Sequence, residues 1–247
     1  MIFSCKTTEA FTFKLLINFL ESAFDGFCLE VREKKLTICQ TDINSNILVE
    51  VALQAENFEY YRYTKDITIG LDLHNLNMLI KSIKKKDEVT LNISKDNPLK
   101  LNITISGQEL GDNMMGSIRN QLRQRIIITP PRGYSKSCMV NSSKFQKACK
   151  DVMRAGRKII TLTSMGDYNM SIHSTIDDVG SNTIEFVNYP EISGNRSKID
   201  VDGHRLLKLS KLTGMSSKLK IFLKEDTPIL IKANVGSLGI IDVYIKK

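Results

Sequence analysis

The stretch from Asp66 to Ile105 recurs further along the chain at an offset of 130 residues. In the first copy a short apolar strand, Ile67-Thr68-Ile69, runs into a helical pattern that Asp72 opens and Leu76, Leu79, Ile80 and Ile83 make apolar. A hairpin follows: Val89, Leu91 and Ile93 alternate up to Lys95-Asp96-Asn97-Pro98, then Leu99, Leu101, Ile103 and Ile105 alternate away. In the second copy Ile69 becomes Ile199, Asp72 becomes Asp202, Leu76 becomes Leu206 and Leu79 becomes Leu209. Val89-Leu91-Ile93 becomes Leu219-Ile221-Leu223, and the turn becomes Glu225-Asp226-Thr227-Pro228 before Ile229 and Ile231. Alternation by itself is generic strand chemistry, but a capping Asp and a turn Pro in register with it point to one duplicated supersecondary unit. Two copies are too few for an open solenoid, which leaves two similar domains.

At 247 residues, 42% hydrophobic and 25% charged, the chain can bury one large core or two ordinary ones of roughly 100 to 130 residues. No apolar run approaches the roughly 20 residues of a membrane helix. Met1-Ile2-Phe3-Ser4-Cys5-Lys6 does not open a secretory signal, so an intracellular protein with no membrane partner is expected. Five cysteines (Cys5, Cys28, Cys39, Cys138, Cys149) are odd in number and share no C-x-x-C spacing, which predicts reduced core residues.

The net charge of +8 invites a polyanion. Its distribution is more informative. Four predicted helices, residues 9–22, 72–86, 142–158 and 203–218, hold 15 Lys or Arg against 4 Asp or Glu, leaving 20 against 23 for the rest. The helices are basic and the predicted strands are not. The first helix is apolar on more than one side. The third is sharply two-faced, with Phe145, Ala148, Cys149, Val152 and Met153 on one side and Lys144, Lys147, Lys150 and Arg154 on another.

Strands are predicted over residues 1–6, 27–31, 36–40, 47–53, 113–120, 137–141, 159–163, 168–173, 182–188 and 239–247, in addition to those of the repeated unit. Residues 106–136 break the pattern. Gly107, Gly111, Gly116, Pro130, Pro131 and Gly133 punctuate them, Arg119, Arg123, Arg125, Arg132 and Lys136 make them basic, and Ile126-Ile127-Ile128 is an apolar triplet. The segment reads as an edge strand followed by an extended linker. The triplet either packs down on its own domain or lines a partner's groove.

Strand, helix, three strands, connector, helix, hairpin, edge strand and linker, then the same again, is an order that resembles the eukaryotic and archaeal DNA sliding clamps, the proliferating cell nuclear antigen family. The likeness covers essentially the whole chain. It is anchored at Asp42, Leu48, Val49, Phe58, Tyr61, Arg62, Gly70 and Leu73, then at Cys138, Phe145, Cys149, Asp151, Gly156, Asp226, Pro228, Gly239 and Tyr244. It implies an α+β fold of two similar clamp domains per chain, with helices on one face of antiparallel sheets, and a closed trimeric ring. The expected boundaries are 1–118 for the N-terminal domain, 119–136 for the connecting loop and 137–247 for the C-terminal domain.

In such clamps the helices line the inner wall, where diffuse attraction to phosphates suffices and base readout would stop sliding. The resemblance places Lys14, Lys81, Lys147, Lys150, Arg205 and Lys211 on that wall; Lys84, Lys85, Arg154 and Lys208 are this chain's own additions on the same faces or helix ends. A solvated helix face is the alternative. This sequence departs from the family in placing Glu21 where members often have Lys, and in being basic overall. The family's partner-peptide groove maps to Thr41, Ser45, Leu48, Ile126, Ile127, Ile128, Pro228 and Tyr244. Thr41 and Ser45 are smaller and more polar than usual, so the preferred peptide can differ. Ring closure would pair strand 113–120 of one subunit with strand 182–188 of the next. Met114, Met115, Ile118, Ile184 and Phe186 would lie at that interface, or else belong to each subunit's own core.

No catalytic constellation is evident. His74, His173 and His204 lack metal-ligand spacing. The Asp200-x-Asp202 pair corresponds to Gly70-x-Asp72 in the first copy, so the shared Asp reads as a helix cap. No phosphate-binding Gly-Lys-Ser/Thr loop is present. The expectation is therefore a non-enzymatic homotrimeric processivity factor without cofactor or metal. Its partners would be double-stranded DNA of any sequence, a DNA polymerase and other replication and repair enzymes bound through a short peptide motif, and a clamp loader. It would work in the nucleus or a viral replication compartment. Two alternatives share the charge pattern: a monomeric factor gripping DNA directly, and a subunit of a heterotrimeric checkpoint-type clamp. A nuclease has no motif behind it.

Overall fold

The computed structural model describes residues 1–107, 112–134, 136–154, 159–166, 168–176, 180–188 and 196–247, the side chain of residue 176 excepted. Two compact units emerge, one of residues 1–42, 49–127 and 234–241, the other of residues 43–48, 128–233 and 242–247; the strands over residues 47–54, 229–235 and 239–245 draw residues from both and are grouped with the unit that holds most of each.

The first unit runs β1 (Phe3–Thr7), α1 (Ala10–Glu21), β2 (Gly26–Val31), β3 (Lys35–Thr41), β4 (Ile47–Gln54), β5 (Tyr60–Tyr63), β6 (Ile67–Asp72), α2 (Leu73–Ile80), β7 (Glu88–Ile93), β8 (Lys100–Ser106) and β9 (Asn113–Arg119). The strands form one run in the order β5-β1-β7-β8-β9 and another in the order β4-β3-β2-β6. Alternation sends Ile47, Val49, Val51 and Leu53 of β4 inward, each almost fully buried. Phe13 and Ile17 of α1 and Leu76 of α2 meet Leu29, Leu36, Ile38, Leu91 and Leu101 from both strand runs, so the helices seal the core from one side.

The second unit runs β10 (Cys138–Asn141), α3 (Ser142–Arg154), β11 (Ile159–Met165), β12 (Asn169–Ile176), β13 (Gly180–Phe186), β14 (Lys198–Asp202), α4 (Gly203–Leu209), a single tight turn of 3-10 helix (Ser210–Gly214), β15 (Lys218–Phe222), β16 (Ile229–Val235) and β17 (Gly239–Ile245). Its strand orders are β13-β12-β11-β14 and β10-β15-β16-β17. Phe145, Ala148, Cys149 and Val152 of α3 are buried. A Cβ on Gly203 would stand 2.2 Å from Met153 Sδ and 2.9 Å from Ile160 Cδ1, so the missing side chain lets α4 begin hard against α3.

The duplication is visible in three dimensions. Asp72 caps α2 by accepting from the Asn75 amide at 2.8 Å, and Asp202 caps α4 by accepting from the His204 amide at 2.8 Å. Leu76 and Leu206 are both buried. Beyond the turn, however, the constant offset does not hold. Leu91 pairs with Ile103 in the first hairpin, while Ile221 pairs with Ile231 in the second, so an offset of 130 going in becomes 128 coming out. The second turn is two residues tighter, with Asp226 in the left-handed region at φ 59°. An even slip leaves every side chain on its original face, which is why the alternation conceals it.

Two helices are shorter than predicted. The helix expected over 72–86 ends at Ile80, because the Asp87 carboxylate accepts from the Lys84 amide at 2.7 Å and closes a turn instead. The helix expected over 203–218 tightens at Ser210, where Thr213 donates its hydroxyl to the Ser210 carbonyl at 2.9 Å, and β15 has begun by Lys218. Residues 155–158 of the third predicted helix, Gly156 with them, lie outside the described residues. Among the described residues no helix is long and apolar enough to cross a membrane.

Candidate nucleic-acid interface and peptide groove

In the first unit the basic side chains lie at Lys14 of α1 and on the turn after α2, which itself holds no Lys or Arg, so the expected basic helix over 72–86 is a short uncharged helix followed by a basic turn. Lys14 leaves α1 half-buried, and its ammonium donates to the carbonyls of Lys81 at 2.6 Å and Ile83 at 3.0 Å. It thereby satisfies carbonyls left open where α2 ends and sits at the negative pole of that helix. Lys81, Lys84 and Lys85 are exposed on the turn beyond, as is Lys86. Glu21 does not stand alone on this face. It accepts from the Asn77 side chain and lies 3.5 Å from His74 Nδ1, so its charge is partly engaged by α2.

In the second unit Lys147, Lys150 and Arg154 are exposed along α3, opposite its buried stripe. Arg154 lies 3.6 Å from Asp151 one turn back. Lys208 of α4 and Lys211 of the 3-10 turn are exposed, while Arg205 is half-buried and donates to the Lys246 carbonyl at 3.1 Å. Gln146 donates to the Ser210 carbonyl at 3.2 Å and ties α3 to the 3-10 turn, bringing the two basic segments onto one support. The helices of the second unit, and the turn after α2 in the first, offer exposed cations on ordered backbones. That arrangement attracts a polyanion without reading its sequence.

The groove residues divide between the units. Thr41, Ile126 and Ile127 belong to the first, where Thr41 donates its hydroxyl to the Asp42 carbonyl at 3.1 Å, Ile126 is half-buried and Ile127 is 81% exposed. Ser45, Leu48, Ile128, Pro228 and Tyr244 belong to the second. Ser45 is exposed in a left-handed turn at φ 52°, Leu48 and Pro228 are half-buried, and Tyr244 is buried. Tyr134 joins two of these positions and was not singled out from the sequence. Its hydroxyl donates to the Pro228 carbonyl at 2.7 Å, and its ring lies 6.4 Å from Tyr244 and 5.9 Å from Phe222. Burial raises its phenol above the usual range. The available signal was that Tyr134 is the one aromatic residue in the expected linker, 119–136.

β9 and β13 each end a strand order and have one neighbour among the described residues. On β9, Met114 and Met115 are exposed, while Ile118 is buried in its own unit. On β13, Ile184 is half-buried, and Phe186 is buried with its ring 6.4 Å from Phe145. The edges therefore carry side chains of two kinds, some open and some committed inward.

Among the described residues no group of three His, Cys, Asp or Glu is placed to hold a metal. Asp200 accepts the Thr161 hydroxyl at 2.6 Å, and His173 Nδ1 is 2.8 Å from the Thr183 hydroxyl, so both act as strand-to-strand contacts. Cys5, Cys28, Cys138 and Cys149 are buried thiols. Burial holds Cys138 up to about 11 and Cys149 up to about 12.

Comparison with known proteins bears on this geometry. Residues 2–117 match the family described as proliferating cell nuclear antigen, N-terminal domain. A protein of Acanthamoeba polyphaga mimivirus named probable DNA polymerase sliding clamp is 25% identical over 210 residues, covering 82% of this chain and 45% of the relative. The chain thus spans about half the length of that relative. It nearly matches two others from end to end. Probable DNA polymerase sliding clamp 1 of Paramecium bursaria Chlorella virus 1 is 23% identical, with 97% of this chain and 94% of the relative covered. Proliferating cell nuclear antigen 2 of Drosophila melanogaster is 21% identical, with 97% and 95% covered.

Proposed function

We propose that the chain is a diverged member of the proliferating cell nuclear antigen family and a DNA sliding clamp, a processivity factor with no catalysis of its own, a reading supported by the family match over residues 2–117 and by the two end-to-end relatives. Three copies close around duplex DNA and tether a polymerase and other replication and repair enzymes through short peptide motifs, after a clamp loader has opened the ring. It acts in the nucleus or in a viral replication compartment. The domains are residues 1–118 and 137–247, with 119–136 as the connecting loop.

The observation that carries this reading is the segregation of charge within each unit. Lys14 lies on α1, Lys81 caps α2 and Lys84 and Lys85 lie on the turn beyond it, while Lys147, Lys150, Arg154, Arg205 and Lys208 are helical and Lys211 lies on the 3-10 turn, so cations gather at or beside the helices in both halves of a duplicated chain. Basic segments at or beside the helices of both halves suit a wall that meets phosphates repeatedly and sequence-blindly. The strand edges supply the closure. Among the described residues β9 and β13 each pair on one side only, and Met114, Met115 and Ile184 are accessible enough to pack across a subunit boundary. The candidate contacts for the partner peptide are Thr41, Ile126 and Ile127 in the first unit and Ser45, Leu48, Ile128, Pro228 and Tyr244 in the second.

Light scattering over a range of protein and salt concentrations tests the assembly. The expected mass is three times that of the 27.9 kDa chain, and the ring should be retained on closed circular DNA while sliding off linear DNA. A single-chain mass throughout, with equal retention on both DNAs, would instead favour a monomer that holds DNA by its charge of +8.

A further inference from the structure

Residues 120–125, which follow β9, are held against β2 and β6 of the first unit. The Gln121 amide donates to the Gly70 carbonyl at 2.9 Å, and the Gly70 amide donates to the Asn120 side chain at 2.6 Å. A Cβ on Gly70 would stand 2.2 Å from the Gln121 carbonyl oxygen, and one on Gly26 would stand 2.1 Å from Arg123 Cζ. Gly70 pairs with Cys28 and Gly26 with Asp72, so the two glycines clear adjacent strands for the passing chain.

Two arginines then grip the sheet. Arg123 donates through Nη2 to the Gln121 side chain at 2.9 Å and the Asp25 carbonyl at 3.4 Å, and lies 3.5 Å from the Asp72 carboxylate. Arg125 takes both carboxylate oxygens of Glu30, with Nη2 to Oε2 at 2.9 Å. Glu30 is only 8% exposed and also accepts from Arg32 at 2.7 Å. A buried carboxylate gripped in this two-point fashion defines position as well as charge. The apolar side chains alongside point away from the sheet: Leu122 is fully exposed and Ile127 is 81% exposed.

We propose that Arg125 and Glu30 form a staple that sets the phase of the linker and so presents Leu122 and Ile127 to a partner peptide. Arg125 is a positioning residue, acting on recognition through the linker backbone; this rests on the peptide-groove reading above. An unstapled linker samples other phases, and only the fraction in the competent phase binds. The apparent affinity then falls in proportion to that fraction.

The test uses the full-length wild type, Arg125→Ala, Arg125→Lys and Glu30→Gln. The probe is a synthetic peptide carrying a Gln, an aliphatic residue and paired aromatics at helical spacing. The expected results for Arg125→Ala are faster amide exchange over residues 120–128 and about tenfold weaker peptide binding, carried by a slower association rate with dissociation unchanged. Arg125→Lys, which keeps the charge but not the fork, should recover only part of this, and Glu30→Gln should reproduce it from the other side of the pair. Unchanged exchange in both Arg125→Ala and Glu30→Gln overturns the staple. Faster exchange with unchanged peptide affinity overturns its role in recognition. A wild-type chain that binds no such peptide overturns the groove reading instead, and the exchange data separate that failure from the first.

Discussion

Lys14 reaches across from α1 to the end of α2 and donates to the Lys81 carbonyl at 2.6 Å. A residue expected at the DNA surface is thus also the peg that holds the start of the Lys81–Lys86 turn. Lys14→Gln should therefore destabilise the first unit by about 1 kcal/mol, since a partly exposed charged donor to a helix end is worth that much. Its effect on the salt dependence of DNA binding should be smaller than that of Lys81→Ala. Chemical denaturation and binding titrations from low to moderate salt measure the two effects separately. A loss of slope with no loss of stability would return Lys14 to a simple phosphate contact.

The α3 stripe behaves differently, because its buried face lies opposite its charges. Replacing Lys147, Lys150 and Arg154 with Ala together should leave stability within about 0.5 kcal/mol per site, as for other exposed substitutions. The slope of log binding constant against log salt should fall by about 2 to 3 for each chain in contact with DNA, at roughly 0.9 for each phosphate no longer neutralised. An unchanged slope would remove α3 from the DNA surface.

Within β9 the side chains separate assembly from folding. Met115 is 77% exposed and Ile118 is 6% exposed. Ile118→Ala should cost about 2 to 4 kcal/mol of stability through the cavity it leaves. Met115→Glu should leave the fold intact and shift the solution mass from three chains towards one, by placing a charge at the strand edge. Thermal denaturation alongside light scattering distinguishes them, and a Met115→Glu chain that still assembles would place the subunit contact elsewhere.

Cys149 offers a test in alkali. Burial lifts its thiol from the ordinary 9.0 to about 12, so above pH 9 the unfolded chain gives up a proton that the folded chain retains. The unfolded state then binds fewer protons, and stability falls as pH rises from about 9 towards about 12, by up to about 1.4 kcal/mol per pH unit. Cys149→Ala should be less stable at neutral pH yet show a shallower alkaline decline. The native thiol should also resist alkylation at pH 8 until the chain is unfolded.

Much of the fold was legible because it is written in short periods. The alternation of Ile47, Val49, Val51 and Leu53 and the Asp caps at 72 and 202 need only a few neighbouring residues to act. The stops were harder. A helix that ends at Ile80 is terminated by Asp87 closing a turn and by Lys14 arriving from another element, and neither is encoded in the helix's own periodicity. The hairpin slip from 130 to 128 was hidden for a related reason: moving a strand by two residues restores the same in-and-out pattern.

The duplication, the α+β class, the positive charge of the chain and the resemblance to sliding clamps were legible in the residues alone. These are properties of residue order and spacing. Only the tertiary structure decided that Lys14 caps α2, that Tyr134 bridges Pro228 and Tyr244, that Ile118 and Phe186 face inward while Met115 does not, and that Arg125 closes on Glu30. The physical reason is range. The Lys14 bond spans 67 positions and the Arg125 bond spans 95, so each exists only after sheets and helices have packed and brought together groups with no local means of finding one another.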